Sequence, residues 1–267
     1  MRILFLFLAK ELRDIWRNKQ VLPAYFLLPV IAVGISVLFT LILPGIVQAK
    51  KKDPGMDIIV RIVQTLPDFA GMPLQEGITR YFLRNLAGFF LLMPVALSSF
   101  AAAFSIVGEK QQRTLEPILA TPITDRQFLM AKLVASITPA IALTWLAGLA
   151  AAVMVDFISW ERYGYLLLPD RFWLVGLLAL APVMGIASVL ATMHFSARMT
   201  DPQAANQFTG LVIIPIFLLI VGLFGRTLTL SFVFLWSACL VVLLLDVVLF
   251  RFILRKFQRE EILTRWK

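Results

Sequence analysis

The segment VGEKQQRTLEPILATPITDRQFLMAKLV, residues 107–134, mixes charged residues and prolines with apolar ones, and long apolar runs flank it on both sides. The whole chain of 267 residues is 60% hydrophobic and 15% charged, with a mean hydropathy of +0.87. That apolar excess is larger than a soluble core of this length requires, so much of the surface must face lipid. We therefore interpret the segment as a polar connection between two membrane-spanning helices.

The other apolar runs extend this interpretation to an all-α integral membrane protein with six transmembrane helices. The predicted spans are roughly 21–47, 86–107, 128–155, 172–197, 208–225 and 228–250. The fifth is the weakest and could form a shallow hairpin with the sixth, although two full crossings are the preferred interpretation. No soluble domain is predicted.

The N-terminus predicts an amphipathic helix over residues 1–20 that lies in the membrane interface. At helical spacing, one face carries Leu4, Phe5, Leu8, Leu12, Ile15 and Trp16. Charged side chains occupy the other face. Because Lys10 interrupts the short apolar stretch and no small-residue cleavage site follows, we expect this helix to be retained.

The distribution of basic residues predicts that both termini are cytoplasmic. With that orientation, sixteen Lys and Arg residues lie on the cytoplasmic side and nine on the outer side, including a basic cytoplasmic tail over 251–267. Residues 50–52, all lysine, argue the other way but are outnumbered. Because the basic residues flank the spans, lipid headgroups and membrane orientation explain the net charge of +9 without a nucleic acid.

The connection over 48–85 is the one sizeable predicted outer element. Its stretch DIIVRIVQTL, residues 57–66, has apolar residues at helical spacing, and Pro67 ends the run. The pattern predicts a short helix on the outer membrane surface. A flap that covers the helix ends and a role in substrate gating are both compatible with it.

Few residues offer chemistry within the apolar runs. Cys239 is the one cysteine and His194 the one histidine, so neither a disulfide nor a metal site is expected, and His194 is interpreted as a packed or interfacial residue. Asp246 is the one acid inside a run; we expect it to be water-exposed or paired with the basic tail near Arg251, with ion or proton coupling as the less favoured alternative. An intramembrane enzyme is disfavoured, because no catalytic constellation is present.

The residues of the opening segment predict a short, capped amphipathic helix over 109–124. Pro117 suits the first turn of a helix, and the chain breaks at Thr121–Pro122. Thr124, followed by Gln127, forms a capping-box sequence that opens the next span. From the residues alone, the helix could transmit a push from a partner or rest against lipid headgroups.

Three stretches resemble the permease subunit of type 2 ATP-binding-cassette (ABC) exporters. The first combines Glu109, Lys110, RTLEPILATPIT at 113–124 and Lys132. The others are AKELRDIWRNK at 9–19 and SARMTDPQAANQFTGLVIIPI at 196–216. The chain departs from the family pattern at Arg113 and Ala131, where glycine is frequent.

The resemblance implies one permease domain over 1–267 that exports cargo across the cytoplasmic (inner) membrane. It makes 109–124 the coupling helix that docks onto a cytoplasmic ABC ATPase subunit. The implied contact residues are Glu109, Lys110, Arg113, Thr114, Leu115, Glu116, Pro117, Leu119, Thr121 and Pro122.

The same resemblance implies that this chain is not itself an enzyme and binds no cofactor. No G-x-x-x-x-G-K-[ST] phosphate loop occurs, so ATP with Mg²⁺ is expected on two copies of the ATPase subunit. A second permease copy, or a similar chain, is expected to complete the pathway. A membrane partner that couples ATP hydrolysis to assembly or mechanical work is the alternative. Lipid-like, amphipathic or peptide cargo fits the apolar bundle better than a highly charged solute.

Overall fold

The computed structural model describes residues 2–49, 54–69, 71–111, 124–196, 199, 201–211 and 232–256, and within these ranges the chain is helical with no strand. The helices are α1 (Arg2–Arg17), α2 (Leu22–Ala49), α3 (Pro54–Thr65), α4 (Leu74–Gln111), α5 (Asp125–Tyr163), α6 (Arg171–Val175), α7 (Ala181–Ser196), α8 (202–211) and α9 (Phe232–Lys256). A 3₁₀ turn, Pro67–Phe69, follows α3, and a π-helix, Gly176–Leu180, joins α6 to α7.

Five helices in the described part are long and apolar enough to cross a membrane. They are Leu22–Ala49, Leu74–Gln111, Asp125–Tyr163, Arg171–Ser196 and Leu235–Arg255. These match the first four predicted spans and the sixth. The predicted fifth span, 208–225, lies mostly outside the described residues, so the count of six remains a prediction.

Helix α4 extends beyond the predicted second span, roughly 86–107, at both ends. This helix begins at Leu74 rather than near 86, so the last part of the predicted outer connection 48–85 is helical. It also continues to Gln111, so Glu109 and Lys110, the first residues of the predicted coupling helix 109–124, are continuous with α4; residues 112–123 lie outside the described ranges. The charged residues end the apolar run in the sequence, but they do not end the helix, and both have polar partners in the bundle.

Helix α4 is the centre of the bundle and packs against α2, α5 and α7. Hydrogen bonds between helices fix two of these contacts: Ser188 Oγ donates to the carbonyl of Val95 (2.7 Å), and the Tyr25 hydroxyl donates to that of Leu97 (3.2 Å). Ser98 Oγ also donates to the Gly185 carbonyl at 3.2 Å. These serines and Tyr25 therefore join neighbouring helices by hydrogen bonds to backbone carbonyls.

The bundle has two distinguishable ends. The end of α4 at Gln111 and the start of α5 at Thr124 define what we call the loop end, and α1 lies there against α4 and α5. At the opposite end, α3 packs over α2 and α4 in an apolar cluster that includes Val63, Leu66 and Ile78. The predicted helix that stops before Pro67 is confirmed, and it covers the ends of the first two spans.

Candidate coupling site at the loop end

Glu109, in the last turn of α4, joins three helices through one buried carboxylate. Its Oε1 lies 2.6 Å from Lys10 Nζ of α1, and its Oε2 lies 2.7 Å from Lys132 Nζ of α5. The Glu109 side chain is 8% exposed and that of Lys132 is fully buried. Charges removed from water in this way are stable only while they remain paired. The pairing therefore fixes α1, α4 and α5 relative to one another.

Lys132 has a complete set of partners inside the bundle. Besides the ion pair, its ammonium donates a 2.7 Å hydrogen bond to Ser105 Oγ of α4 and lies 5.2 Å from the centre of the Phe128 ring. These contacts compensate for the loss of hydration of a buried ammonium. Lys132 is therefore part of the helix packing and does not extend to the membrane surface.

Lys110 connects the same turn of α4 to a fourth helix. Its Nζ donates to the carbonyl of Ser196 at 2.6 Å and contacts that of Met199 at 3.5 Å, at the end of α7. The last carbonyls of a helix lack partners within the helix and carry partial negative charge, which favours a lysine there. Two adjacent residues of α4 thus hold α1 and α5 on one side and α7 on another.

The start of α5, where the connection over 112–123 ends, is fixed by a helix cap. The Gln127 backbone N–H donates to Thr124 Oγ1 at 3.3 Å, and the Thr124 N–H donates to Gln127 Oε1 at 3.1 Å. The predicted capping box at the start of α5 is confirmed. Residues 112–123 are therefore attached at both ends to firmly held turns.

A polar cavity of about 560 Å³ opens beside these contacts. It lies between the end of α1, the last turns of α4 and the start of α8, and its lining includes Arg17, Phe104, Gly108 and Asp201. Asp201 Oδ2 accepts a 3.0 Å hydrogen bond from the Ala204 N–H and so caps α8. This carboxylate holds a helix end, which is a structural role.

The predicted site residues separate into two groups. The structure brings Glu109 and Lys110 together in the cluster, where both are only 7% exposed and have partners within the bundle. Their contact with an ATPase remains a prediction. The others lie outside the described residues, and their contact with an ATPase remains a prediction: Arg113, Thr114, Leu115, Glu116, Pro117, Leu119, Thr121 and Pro122.

Sequence reasoning did not assign the helix-joining roles of Lys10 and Ser105. Lys10 lies in the stretch 9–19 and Lys132 in the opening segment, and both stretches carried the resemblance. Nothing in the sequence, however, indicated that both lysines meet Glu109. Only the fold brings together residues that lie 99 positions apart.

Asp246 is buried and therefore not water-exposed as one expectation had it, and its predicted pairing with the basic tail stays a prediction because residues 257–267 lie outside the described ranges. The residue is 4% exposed, and neither carboxylate oxygen forms a hydrogen bond with any residue in the described ranges. It lies one turn after Val242, on the helix face that also carries the buried Cys239.

Across the described ranges, no group of His, Cys, Asp and Glu side chains could hold a metal ion. His194 packs against Phe195 and Phe252, as the interpretation of a packed residue expected.

Comparison with known protein families identifies a match over residues 45–243, about three quarters of the chain, to the model described as ABC-2 family transporter protein. The matched region runs from the end of α2 into α9 and includes Glu109, Lys110 and Lys132 at the loop end. Comparison with curated proteins gives no match.

Proposed function

Because the chain belongs to the ABC-2 family of transporter proteins, we propose that it is the membrane subunit of an exporter driven by a separate ATPase. Residues 109–124 are the part of the chain that the ATPase contacts. The observation that carries this proposal is the buried cluster of Glu109, Lys132 and Lys10 at the base of that segment. This cluster attaches the segment rigidly to the bundle, so a movement of the ATPase outside the membrane is transmitted to the helices.

The contacts at the loop end define the path of that movement. Helices α4 and α5 continue directly from the two ends of residues 112–123. The Lys10–Glu109 ion pair adds α1, and the hydrogen bond from Lys110 to the Ser196 carbonyl adds α7. Separating a buried, hydrogen-bonded pair costs about 3–5 kcal/mol, so these helices move together more readily than they come apart.

The other components of the transporter complex and its orientation follow from the family and from the charge pattern. ATP and Mg²⁺ bind the ATPase subunit, present in two copies, and the pathway forms between this chain and a second permease. The loop end and both termini face the cytoplasm, in agreement with the excess of basic residues in those segments. The protein resides in the cytoplasmic (inner) membrane, where the energy of ATP hydrolysis drives cargo outward.

The test separates assembly from coupling. The tagged chain is purified with its ATPase in lipid nanodiscs, and ATP hydrolysis is measured for the wild type, Glu109→Gln, Arg113→Glu and Glu116→Lys. We expect the last two to weaken binding of the ATPase. In contrast, Glu109→Gln should leave a bound ATPase whose activity no longer responds to the permease, because the other proposed contact residues are intact and the buried attachment of α4 to α5 is damaged.

The matched control is Asp14→Asn. Asp14 also pairs with Lys10, at 3.3 Å, but its side chain is 56% exposed and the pair contributes little. This variant should behave as the wild type does. The proposal is wrong if all three test variants assemble and hydrolyse ATP like the wild type, or if no ATPase purifies with the chain.

A further inference from the structure

Arg84 holds three segments together at the opposite end of the bundle. Its side chain is only 13% exposed; Nη1 lies 2.7 Å from Asp68 Oδ2 and Nε lies 2.9 Å from Asp170 Oδ2. The guanidinium also lies 4.8 Å from the Phe69 ring centre and 5.6 Å from that of Phe172. One arginine of α4 thus binds the 3₁₀ turn after α3 and the start of the fourth span.

A second contact holds the connection between the third and fourth spans. The Tyr165 hydroxyl donates to the buried carboxylate of Glu76, which also pairs with Arg80 at 3.2 Å. Arg80 in turn lies 5.0 Å from the centre of the Tyr165 ring. Residues 164–170 are therefore attached to α4 by polar and aromatic contacts, and to α5 through Asp156 Oδ1, which accepts hydrogen bonds from the Leu167 and Leu168 N–H groups.

The fourth span changes its helix type directly after this attachment. In the π-helix Gly176–Leu180, the Ala181 N–H donates to the Gly176 carbonyl, five residues earlier. The next carbonyl, that of Leu177, would accept from residue 182 in the same pattern, but residue 182 is proline and has no N–H. Trp145 of α5 replaces that donor, because its Nε1 lies 2.8 Å from the Leu177 carbonyl.

Gly148 allows the two helices to approach at this point. A Cβ at position 148 would lie 2.6 Å from Leu177 Cδ1, closer than real carbon contacts occur. The π-helix is thus held by contacts from α5 and not by its own backbone ladder alone. Helix breaks of this kind often occur at functional sites and at points where a helix bends.

We propose that residues 164–175 form a gate at the outer end of the permease, which swings about the π-helix and is held shut by Arg84. The gate rests on the proposed transport function, because an exporter must open its outer end to release cargo. In the closed state, Trp173 packs against Phe90 with ring centres 4.9 Å apart and is almost fully buried. Opening breaks these contacts, and ATP hydrolysis in the complex supplies the required free energy.

The test measures the gate directly by electron–electron spin distances. Spin labels are placed at Gln64→Cys on α3 and at Leu166→Cys in the gate, both exposed positions, after Cys239 is replaced by alanine. In the complex without nucleotide we expect one narrow distance. Arg84→Ala should add a population longer by about 5 Å or more, the scale of a one-turn displacement, without ATP.

Three further variants distinguish a gate from a general loss of structure. Arg162→Ala removes an exposed arginine near the same end and should leave the narrow distance unchanged. Arg84→Lys keeps the charge but cannot form both ion pairs in the same geometry, so it should give a smaller open population. Trp145→Phe removes the donor to Leu177 and should broaden the distance even if Arg84→Ala proves too unstable to purify.

The gate is refuted if Arg84→Ala and Trp145→Phe both retain the wild-type distance, or if the wild-type distance does not change during ATP turnover. Either result leaves the proposed function standing as long as the ATPase still binds and drives transport. Loss of ATPase binding in the wild type would instead refute the proposed function, whatever the distances show.

Discussion

Replacing Lys132 with methionine tests the buried cluster that connects α1, α4 and α5. Methionine keeps most of the volume but removes the charge, so the Glu109 carboxylate loses its buried ion pair and keeps the one with Lys10, whose side chain is 40% exposed. Removing one partner of a buried pair costs about 3–5 kcal/mol. Because Lys10 still compensates part of the charge, we expect Lys132→Met to lower the free energy of unfolding by about 3 kcal/mol.

The reciprocal change, Glu109→Gln, leaves the fully buried ammonium of Lys132 with Ser105 Oγ, 2.7 Å away, and should cost a similar amount. The double variant removes both buried charges at once. It should therefore cost no more than either single variant, which corresponds to a coupling free energy of about 3 kcal/mol. Neither single substitution distinguishes an ion pair from simple packing. The double-mutant cycle formed by the wild type, the two single variants and the double variant does.

The assay is equilibrium unfolding in mixed micelles, followed by far-ultraviolet circular dichroism, for the wild type, both single variants and the double variant. Asp14→Asn provides the control, with an expected change below about 0.5 kcal/mol, because its pair with Lys10 is exposed to solvent. The reasoning fails if the two single effects simply add in the double variant, or if Lys132→Met costs less than about 1 kcal/mol.

Three other predictions concern separate parts of the bundle. Thr124→Ala removes the capping box of α5 and should lower the free energy of unfolding by about 1 kcal/mol, measured in the same micelles; no change would contradict the cap. Gly148→Ala places a methyl group against Leu177 and should cost about 1–3 kcal/mol through overpacking, whereas alanine at Gly34, where an added Cβ would contact no other side chain or neighbouring helix within 4 Å, should be neutral or stabilising. Asp246→Leu replaces a buried acid that has no hydrogen bond in the described part, so unfolding should become equally or more difficult; a loss of more than about 1 kcal/mol would show that the carboxylate has a stabilising partner.

Local signals in the sequence predicted the elements that depend on neighbouring residues. The apolar runs located five spans because hydrophobic length is decided within each run. Thr124 and Gln127 predicted the start of α5 because a capping box involves residues three apart. Pro67 likewise marked the end of α3.

Features that depend on distant residues could not be predicted in this way. The sequence showed Glu109 and Lys110 as charges beside a polar connection, and only the fold reveals that Lys10 and Lys132 enclose the first and that Ser196 binds the second. The π-helix in the fourth span likewise depends on a donor from Trp145, 32 residues away from Leu177. The position of Asp246 near Arg251 in the sequence suggested water exposure or pairing with the basic tail. Its burial depends on how α9 packs against the other helices, which the sequence does not show.

The most direct test of the central claim places a single cysteine in the connection, Glu116→Cys with Cys239→Ala, and produces this chain together with its ATPase. We expect a membrane-impermeant thiol reagent to label position 116 only from the cytoplasmic side, and a short bifunctional reagent to cross-link it to the ATPase. Labelling from the outer side, or an ATPase that purifies with the chain but never cross-links at this position, would contradict the account.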